Sequence, residues 1–407
     1  MADGITRIAV EGFKSIAKRQ EIEIAPLTIL AGANSSGKSS IMQPLLMLKQ
    51  TLEATYDPGP LKIDGPNVIF TRAEEFLSKT EQNAAHCLRV AIFAGERSLE
   101  VSFVKLEPGL EVAEETYRDG GSSLTLRPGM SSEDLQQATK HYEPIKDFSV
   151  YGLTLAQQRF LLYPKLGNSS ITLDSPTLFI QNVIHVPGLR GNGARTYPVA
   201  AITRNFPGTF ENYVASAIFV WQFERSACYD ALNADLQRTG LARNIAANRV
   251  NDVAIELHVG LMEHRLDNIA DVGFGVSQIL PVLVALRAAE PGHVVYLEEP
   301  EIHLHPRAQT KLADILADAA KRGVRVVAET HSSLLLRAIQ TLVAKGELDP
   351  ELVRMHWFTR DADGVTQVSS TKLDANGAFG EWPEDFGDVA LRSEQEYLDA
   401  VEGRLAH

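Results

Sequence analysis

The stretch "AGANSSGKSS", Ala31 to Ser40, follows the apolar run Leu27-Thr28-Ile29-Leu30 and precedes a helix-like pattern. Its spacing is Gly32, four residues, then Gly37-Lys38-Ser39, the full pattern of a phosphate-binding loop. A triphosphate needs close backbone approach, positive charge and a metal contact. Gly32 and Gly37 carry no side chain to obstruct that approach, and the amides across Ala33, Asn34, Ser35, Ser36 and on to Ser40 can turn inward as an anion nest. Lys38 supplies a point charge for the β and γ phosphates, and Ser39 a hydroxyl for Mg2+. The helix that follows carries Ile41, Leu45, Leu48 and Leu52 at helical spacing, and its N-terminal partial charge adds to the site. A nucleoside triphosphate with Mg2+ is therefore the expected ligand pair.

Two further stretches extend this reading. "HVVYLEEPEIHLHP", residues 293 to 306, is a buried strand ending in acids, with Pro306 set for the first turn of a helix that ends at Gly323. "VRVVAETHS" is a second buried strand with polar residues at its carboxyl end, where an open α/β sheet places its ligand. Glu298 is the carboxylate expected to hold Mg2+, and Glu299 the one expected to position the attacking water. Upstream, "DVGFGVSQILPVL" opens a helix with Gly273, Gly275, Ser277 and Gln278, a second helix start that can face phosphate. One nucleotide needs a single such grip, whereas two chains sharing nucleotides across an interface use both.

Elsewhere the pattern is mixed. "ITRIAVEGFKSI" and "QEIEI" alternate as a hairpin, and Leu88 to Leu126 alternates as an antiparallel meander. "SSEDLQQATKHYEPIKDF" begins with a helix capped by a serine, and residues 154 to 163 are also expected to be helical. "TLFIQNVIHV" is expected to be a buried strand. "FENYVASAIFVWQFERSACYDALNADLQRTGL" has helical spacing and stops at Gly240.

In order along the chain, "GFKS", "GANSSGKSS", "GFGVSQILP", "YLEEPEIHLHP" and "ETHS" resemble the ABC-type ATPase heads of the SMC, RecF and OLD group. The resemblance implies an α/β fold, a P-loop sheet flanked by helices with an antiparallel β subdomain, plus an inserted mixed α/β region. It assigns Gly32 to Ser40 as Walker A, Glu298-Glu299 as Walker B, Gly273 to Gln278 as the signature loop, Glu301 to His305 as the D-loop region and His331 as the switch histidine. The expected organisation is 1–75 for the first part of the head, 76–180 for the insertion, 181–345 for the second part, and 346–407 for a small C-terminal domain containing "GAFGEWPEDFGD". Such heads dimerise with two ATP molecules between Walker A of one chain and the signature of the other. Glu298 stands where many relatives have Asp, Gly273 occupies one register of the signature serine, and Gln43 and Gln82 are the candidates for a Q-loop.

The resemblance implies an ATPase working as a nucleotide-driven homodimer or higher homo-oligomer that controls a separate protein effector, as in anti-phage systems such as Septu and PARIS. A RecF-like head that binds nucleic acid is the alternative, and an OLD-like nuclease a further one. The nuclease would draw on Asp361 and Asp363, which equally suit a hairpin turn between "RMHWFT" and "VTQVSS". His303 and His305 lack a third metal ligand. The formal net charge of −13 speaks against a general nucleic-acid coat. Residues 175 to 210, however, hold Arg190, Arg195 and Arg204 with no Asp or Glu. No apolar run is long enough to span a bilayer, and the two cysteines, Cys87 and Cys228, suit a reducing cytoplasm.

Overall fold

The computed structural model describes residues 4–79, 87–107, 109–143, 145, 152–171, 173, 176–262, 265–380, 395–396 and 399. Gln82 and the 381–388 part of "GAFGEWPEDFGD" lie outside the described residues.

The chain starts with strands β1 (Arg7–Glu11) and β2 (Gln20–Glu23), then buried β3 (Leu27–Gly32) and helix α1 (Lys38–Leu52). A meander follows: β4 (Cys87–Ala94), β5 (Arg97–Lys105), β6 (Leu110–Asp119) and β7 (Ser122–Leu126), with α2 (Ser132–Lys140) behind it. Next come β8 (Leu153–Gln158), β9 (Leu161–Leu166), β10 (Ser169–Ser170), α3 (Thr177–Gln181), β11 (Ile184–Val186) and β12 (Tyr197–Pro198). The middle holds α4 (Glu211–Glu224), α5 (Ala227–Thr239), β13 (Asn244–Arg249), β14 (Ala254–Met262) and β15 (Arg265–Asn268). The last part alternates: α6 (Phe274–Ala288), β16 (Val294–Glu298), α7 (Pro306–Lys321), β17 (Arg325–Glu329), α8 (Ser333–Ala344), β18 (Val353–Arg360) and β19 (Thr366–Thr371).

The central sheet runs β11-β16-β17-β3-β18-β19, parallel except for the edge strand β19. Parallel strands are covered on both faces, and the side chains divide accordingly. Leu27, Ile29, Val295, Leu297, Val326 and Ala328 join the core beneath α4 to α8. Leu30, Val294, Tyr296, Val327 and Phe358 turn the other way, to α1 and the antiparallel sheet. That second sheet has the order β2-β1-β4-β5-β6-β7. Its Ile8, Val10, Leu88, Val90, Ile92, Val101 and Leu124 alternate into the same core. Among the described residues no helix is long and apolar enough to cross a membrane.

Several sequence expectations change here. The stretch 154–163 is a hairpin, β8 against β9, not a helix. Arg159 turns it with φ of +58°, and its guanidinium donates to the Leu52 and Ala54 carbonyls at 2.6 and 2.7 Å, at the end of α1. That distant tie outweighs the helix-forming side chains around it. "TLFIQNVIHV" is helix α3 followed by the short strand β11. The long helical run from residue 211 breaks at Arg225, in the left-handed region, into α4 and α5. It ends at Gly240, as expected. Neither the boundary at 76 nor that at 346 separates two sheets. β4 pairs with β1 across the first, and β18 pairs with β3 in the P-loop sheet beyond the second.

Candidate nucleotide site

The register of the parallel strands sets the site. Glu298 pairs with Glu329, and Glu329 with Leu30, so the ends of β16, β17 and β3 lie side by side under the loop. Gly32 has φ of +147° and Gly37 of +108°, a backbone that L side chains rarely adopt. A Cβ at Gly32 would collide with the Phe358 carbonyl, and one at Gly37 with the Thr366 hydroxyl. The loop is thus roofed by the β18–β19 hairpin as well as built on β3. Thr366 donates to the Ser36 carbonyl at 2.8 Å, and its N–H donates to the Ser15 carbonyl at 2.7 Å.

Lys38 lies almost wholly inside the fold and donates to the Gly32 and Ala33 carbonyls at 3.0 and 2.8 Å. Burial lowers its pKa, while the carboxylates of Glu329 and Glu299 work against that shift. Ser39 donates to Glu329 Oε1 at 2.9 Å, and the Tyr296 hydroxyl donates to Oε2 at 2.9 Å. Burial raises the Glu329 carboxyl, opposed by these two hydrogen bonds. Glu298, expected beside Ser39, is occupied elsewhere. It accepts from the Gly188 N–H at 3.1 Å and lies 3.1 Å from His185 Nε2, whose ring stacks on Tyr296. Burial alone would raise the Glu298 carboxyl, but His185 and Gly188 hold it below its ordinary value.

Glu299 follows in the left-handed region, with φ of +42°, its N–H donating to the Glu329 carbonyl at 2.8 Å. Such a backbone costs an L residue about 1–3 kcal/mol, so its surroundings must hold it there. His331 Nε2 stands 3.8 Å from Glu299 Oε1. Burial first, and then the Lys38 charge, push the imidazole below its ordinary pKa. Both effects favour the neutral ring. Glu301 accepts from the Thr330 hydroxyl and, at 3.2 Å, from the His331 N–H, bracing the end of β17. Beside Lys38 and Ser39 opens a cleft of about 250 Å3 that Lys14, Ser15, Gln43, Glu329 and Arg360 also line. Lys14 donates to Gln43 at 2.8 Å.

The comparisons with known proteins bear on this arrangement. Residues 4–143 match the family model described as "AAA ATPase domain". Residues 216–337 match the one described as "AAA domain, putative AbiEii toxin, Type IV TA system". Two separate stretches of the chain thus match models of AAA ATPase domains. Solved structures similar to this chain include an SMC head bound to the C-winged helix domain of ScpA, at 14% identity and a TM-score of 0.49, covering 91% of this chain and 98% of that one. The SMC head domain from Thermotoga maritima has 12% identity and a TM-score of 0.39, covering 90% and 98%. An Smc head domain with an extended coiled coil, bound to the C-terminal domain of ScpA derived from Pyrococcus furiosus, has 13% identity and a TM-score of 0.45, covering 98% and 100%. No curated protein matches the chain.

The other residues singled out in the sequence lie as follows. Gly273 caps α6 and Phe274 is exposed at its start, with Gly275 in the first turn. Ser277, expected to show its hydroxyl to a partner's nucleotide, is buried and donates to the Phe274 carbonyl at 3.0 Å. Gln278 also points inward, donating to the Arg190 and Gly191 carbonyls at 3.2 and 3.0 Å. His305 caps α7 through its side chain, and His303 tilts against Phe274. Asp361 accepts from the Asp363 and Val365 N–H groups at 3.0 and 2.9 Å, the bonding of a hairpin turn.

Sequence reasoning missed Glu329, Arg360 and Thr366. Glu329 was visible only as a polar strand end in "AETHS". Lys14 stood in "GFKS" without an assigned role.

Proposed function

We propose that the head binds ATP with Mg2+ in the Lys38–Ser39 cleft, hydrolyses it, and uses the cycle to close and open a homodimer that controls a separate protein effector. The observation that carries this reading is the convergence of Lys38, Ser39, Glu329, Glu299 and His331 at the ends of three adjacent strands. The oxygen donors Ser39 and Glu329 suit Mg2+, which takes one or two carboxylates together with phosphates, while Glu298 is engaged by His185 and Gly188. Among the described residues no group of three or more His, Cys, Asp and Glu forms a metal cage. When bound, the ion neutralises charge on the β and γ phosphates.

The protein's own part is positioning. Lys38 steadies the phosphates, and Glu299 orients a water and accepts its proton as the water oxygen bonds to the γ phosphorus. The bond to the β–γ bridging oxygen then breaks, leaving ADP and phosphate. Neutral His331 donates toward the γ phosphate. The first turn of α6, with no side-chain cap on its amides, is the surface offered to the partner's nucleotide.

The charges of the 175–210 stretch support a protein partner over DNA. Arg190 is buried, Arg195 pairs with Asp271 at 2.6 Å, and Arg204 pairs with Glu290 at 2.7 Å. The anti-phage setting rests on the resemblance. One of the two matching families is described in terms of a type IV toxin–antitoxin system.

The test is Glu299→Gln, which keeps size and reach but removes the base. With ATP it should hydrolyse poorly and run as a dimer in size exclusion with light scattering. With ADP, or without nucleotide, it should run as a monomer. Lys38→Ala should lose ATP binding while remaining folded. One oligomeric state under all three conditions would overturn the switch.

A further inference from the structure

Arg190 lies in the segment that leads away from β11, buried to 8% exposure. Its guanidinium reaches three carbonyls. Nη1 donates to Pro187 at 3.1 Å and Glu298 at 3.3 Å, and Nη2 donates to Glu299 at 3.0 Å. The Glu299 residue is therefore held from both sides, by the Glu329 carbonyl on its N–H and by Arg190 on its own carbonyl. This is the left-handed residue whose carboxylate stands near His331.

The backbone of the same segment is gripped from another direction. Gln278, one turn into α6, donates to the Arg190 and Gly191 carbonyls. A chain of direct contacts thus runs from the exposed start of α6, through Gln278 and the 190–191 peptides, to the Arg190 fork and the Glu299 carbonyl. A planar fork can span several carbonyls in one fixed geometry, which a lysine ammonium does not reproduce. Beside the guanidinium lies a cavity of about 130 Å3, lined also by Glu211 and Ser277, so the fork is not packed on every side.

We propose that Arg190 is a positioning residue that aligns Glu299 and makes that alignment depend on α6 of the same head. The α6 surface that would meet one nucleotide is thereby tied to the carboxylate that would act on the other. This rests on the reading of Glu299 as the hydrolytic base.

The experiment compares wild type with Arg190→Gln, Arg190→Lys and Gln278→Met. It measures thermal midpoint, affinity for a fluorescent ATP analogue, and steady-state kcat and KM. Arg190→Gln should lower kcat by about tenfold or more, with KM and analogue affinity changed by less than about twofold. Arg190→Lys should not restore the rate. Gln278→Met, which leaves Arg190 in place, should also lower kcat. The double variant Arg190→Gln/Gln278→Met should be no slower than Arg190→Gln alone, since both act along one path. Adding Arg190→Gln to Glu299→Gln should slow turnover no further.

Unchanged kcat, additive losses, or a rise in KM at constant kcat would each overturn the proposal. If the Arg190 variants do not fold, Gln278→Met decides by the same split between kcat and KM. A folded wild type that hydrolyses no ATP would instead remove the proposed function, and this inference with it.

Discussion

At Ser39 the fold places a carboxylate from the neighbouring strand, Glu329, and secures its second oxygen with Tyr296. Glu298, one strand further out, is turned to His185 and Gly188. If Glu329 orients the serine that faces the metal, Glu329→Ala should raise the Mg2+ concentration needed for half-maximal ATP turnover by about 10–100-fold, the usual effect of losing such a support. A Mg2+ titration at saturating ATP checks this, and an unchanged midpoint would return the role to Glu298. The contrast between these acids shows what a sequence carries at this scale. Gly32, Gly37, Lys38 and Ser39 were legible because each answers a local demand of one loop. Glu329, Arg360 and Thr366 arrive through strand register and pairing between distant segments, and spacing along the chain encodes neither.

Elements were legible where periodicity and a local stop agreed. The helix after Ser131 starts with a capping box to Asp134, and α5 stops at Gly240 in the left-handed region. They were misread where a distant group decided the outcome, as when Arg159 anchored the β8–β9 turn to the end of α1. The same hairpin is pinned to β6 by Glu115, which is wholly buried and accepts from the Leu162 N–H. Burial pushes the Glu115 carboxyl well above its usual range. With the folded pKa raised, the group's contribution to stability is full below the unfolded value of about 4.3 and is lost as pH rises toward the folded one. Glu115→Gln removes that titration. Its stability relative to wild type should therefore increase with pH above about 4.3, by up to about 1.4 kcal/mol per pH unit. Urea unfolding of both proteins across mildly acidic to neutral pH measures the difference. A difference independent of pH would show that Glu115 stays ionised in the fold.

On the scale of the molecule, the P-loop sheet is closed by strands from both sides of the expected boundary at 346. β18 lies directly against β3, and Met355, Trp357 and Phe358 supply core on its two faces. A chain ended at residue 345 should consequently show no cooperative thermal transition by circular dichroism and no affinity for ATP. A cooperative transition with retained ATP binding would make 346 a true domain boundary after all. The α/β fold around a P-loop sheet was legible as a whole because its motifs fall in order. Its partition was not, because both sheets are assembled from segments far apart in the chain. That assembly constrains synthesis on the ribosome. The strand that bears the nucleotide loop emerges some three hundred residues before its neighbour β18, a delay of roughly 15–60 s at about 5–20 residues per second. For most of that interval both edges of β3 are bare, because its other neighbour β17 also arrives late, and Gly37 lacks its roof at Thr366. A translation product that stopped short of β18 would lack both the strand beside β3 and the roof over the loop, so the order of the strands makes the nucleotide loop the last part of the sheet to be finished.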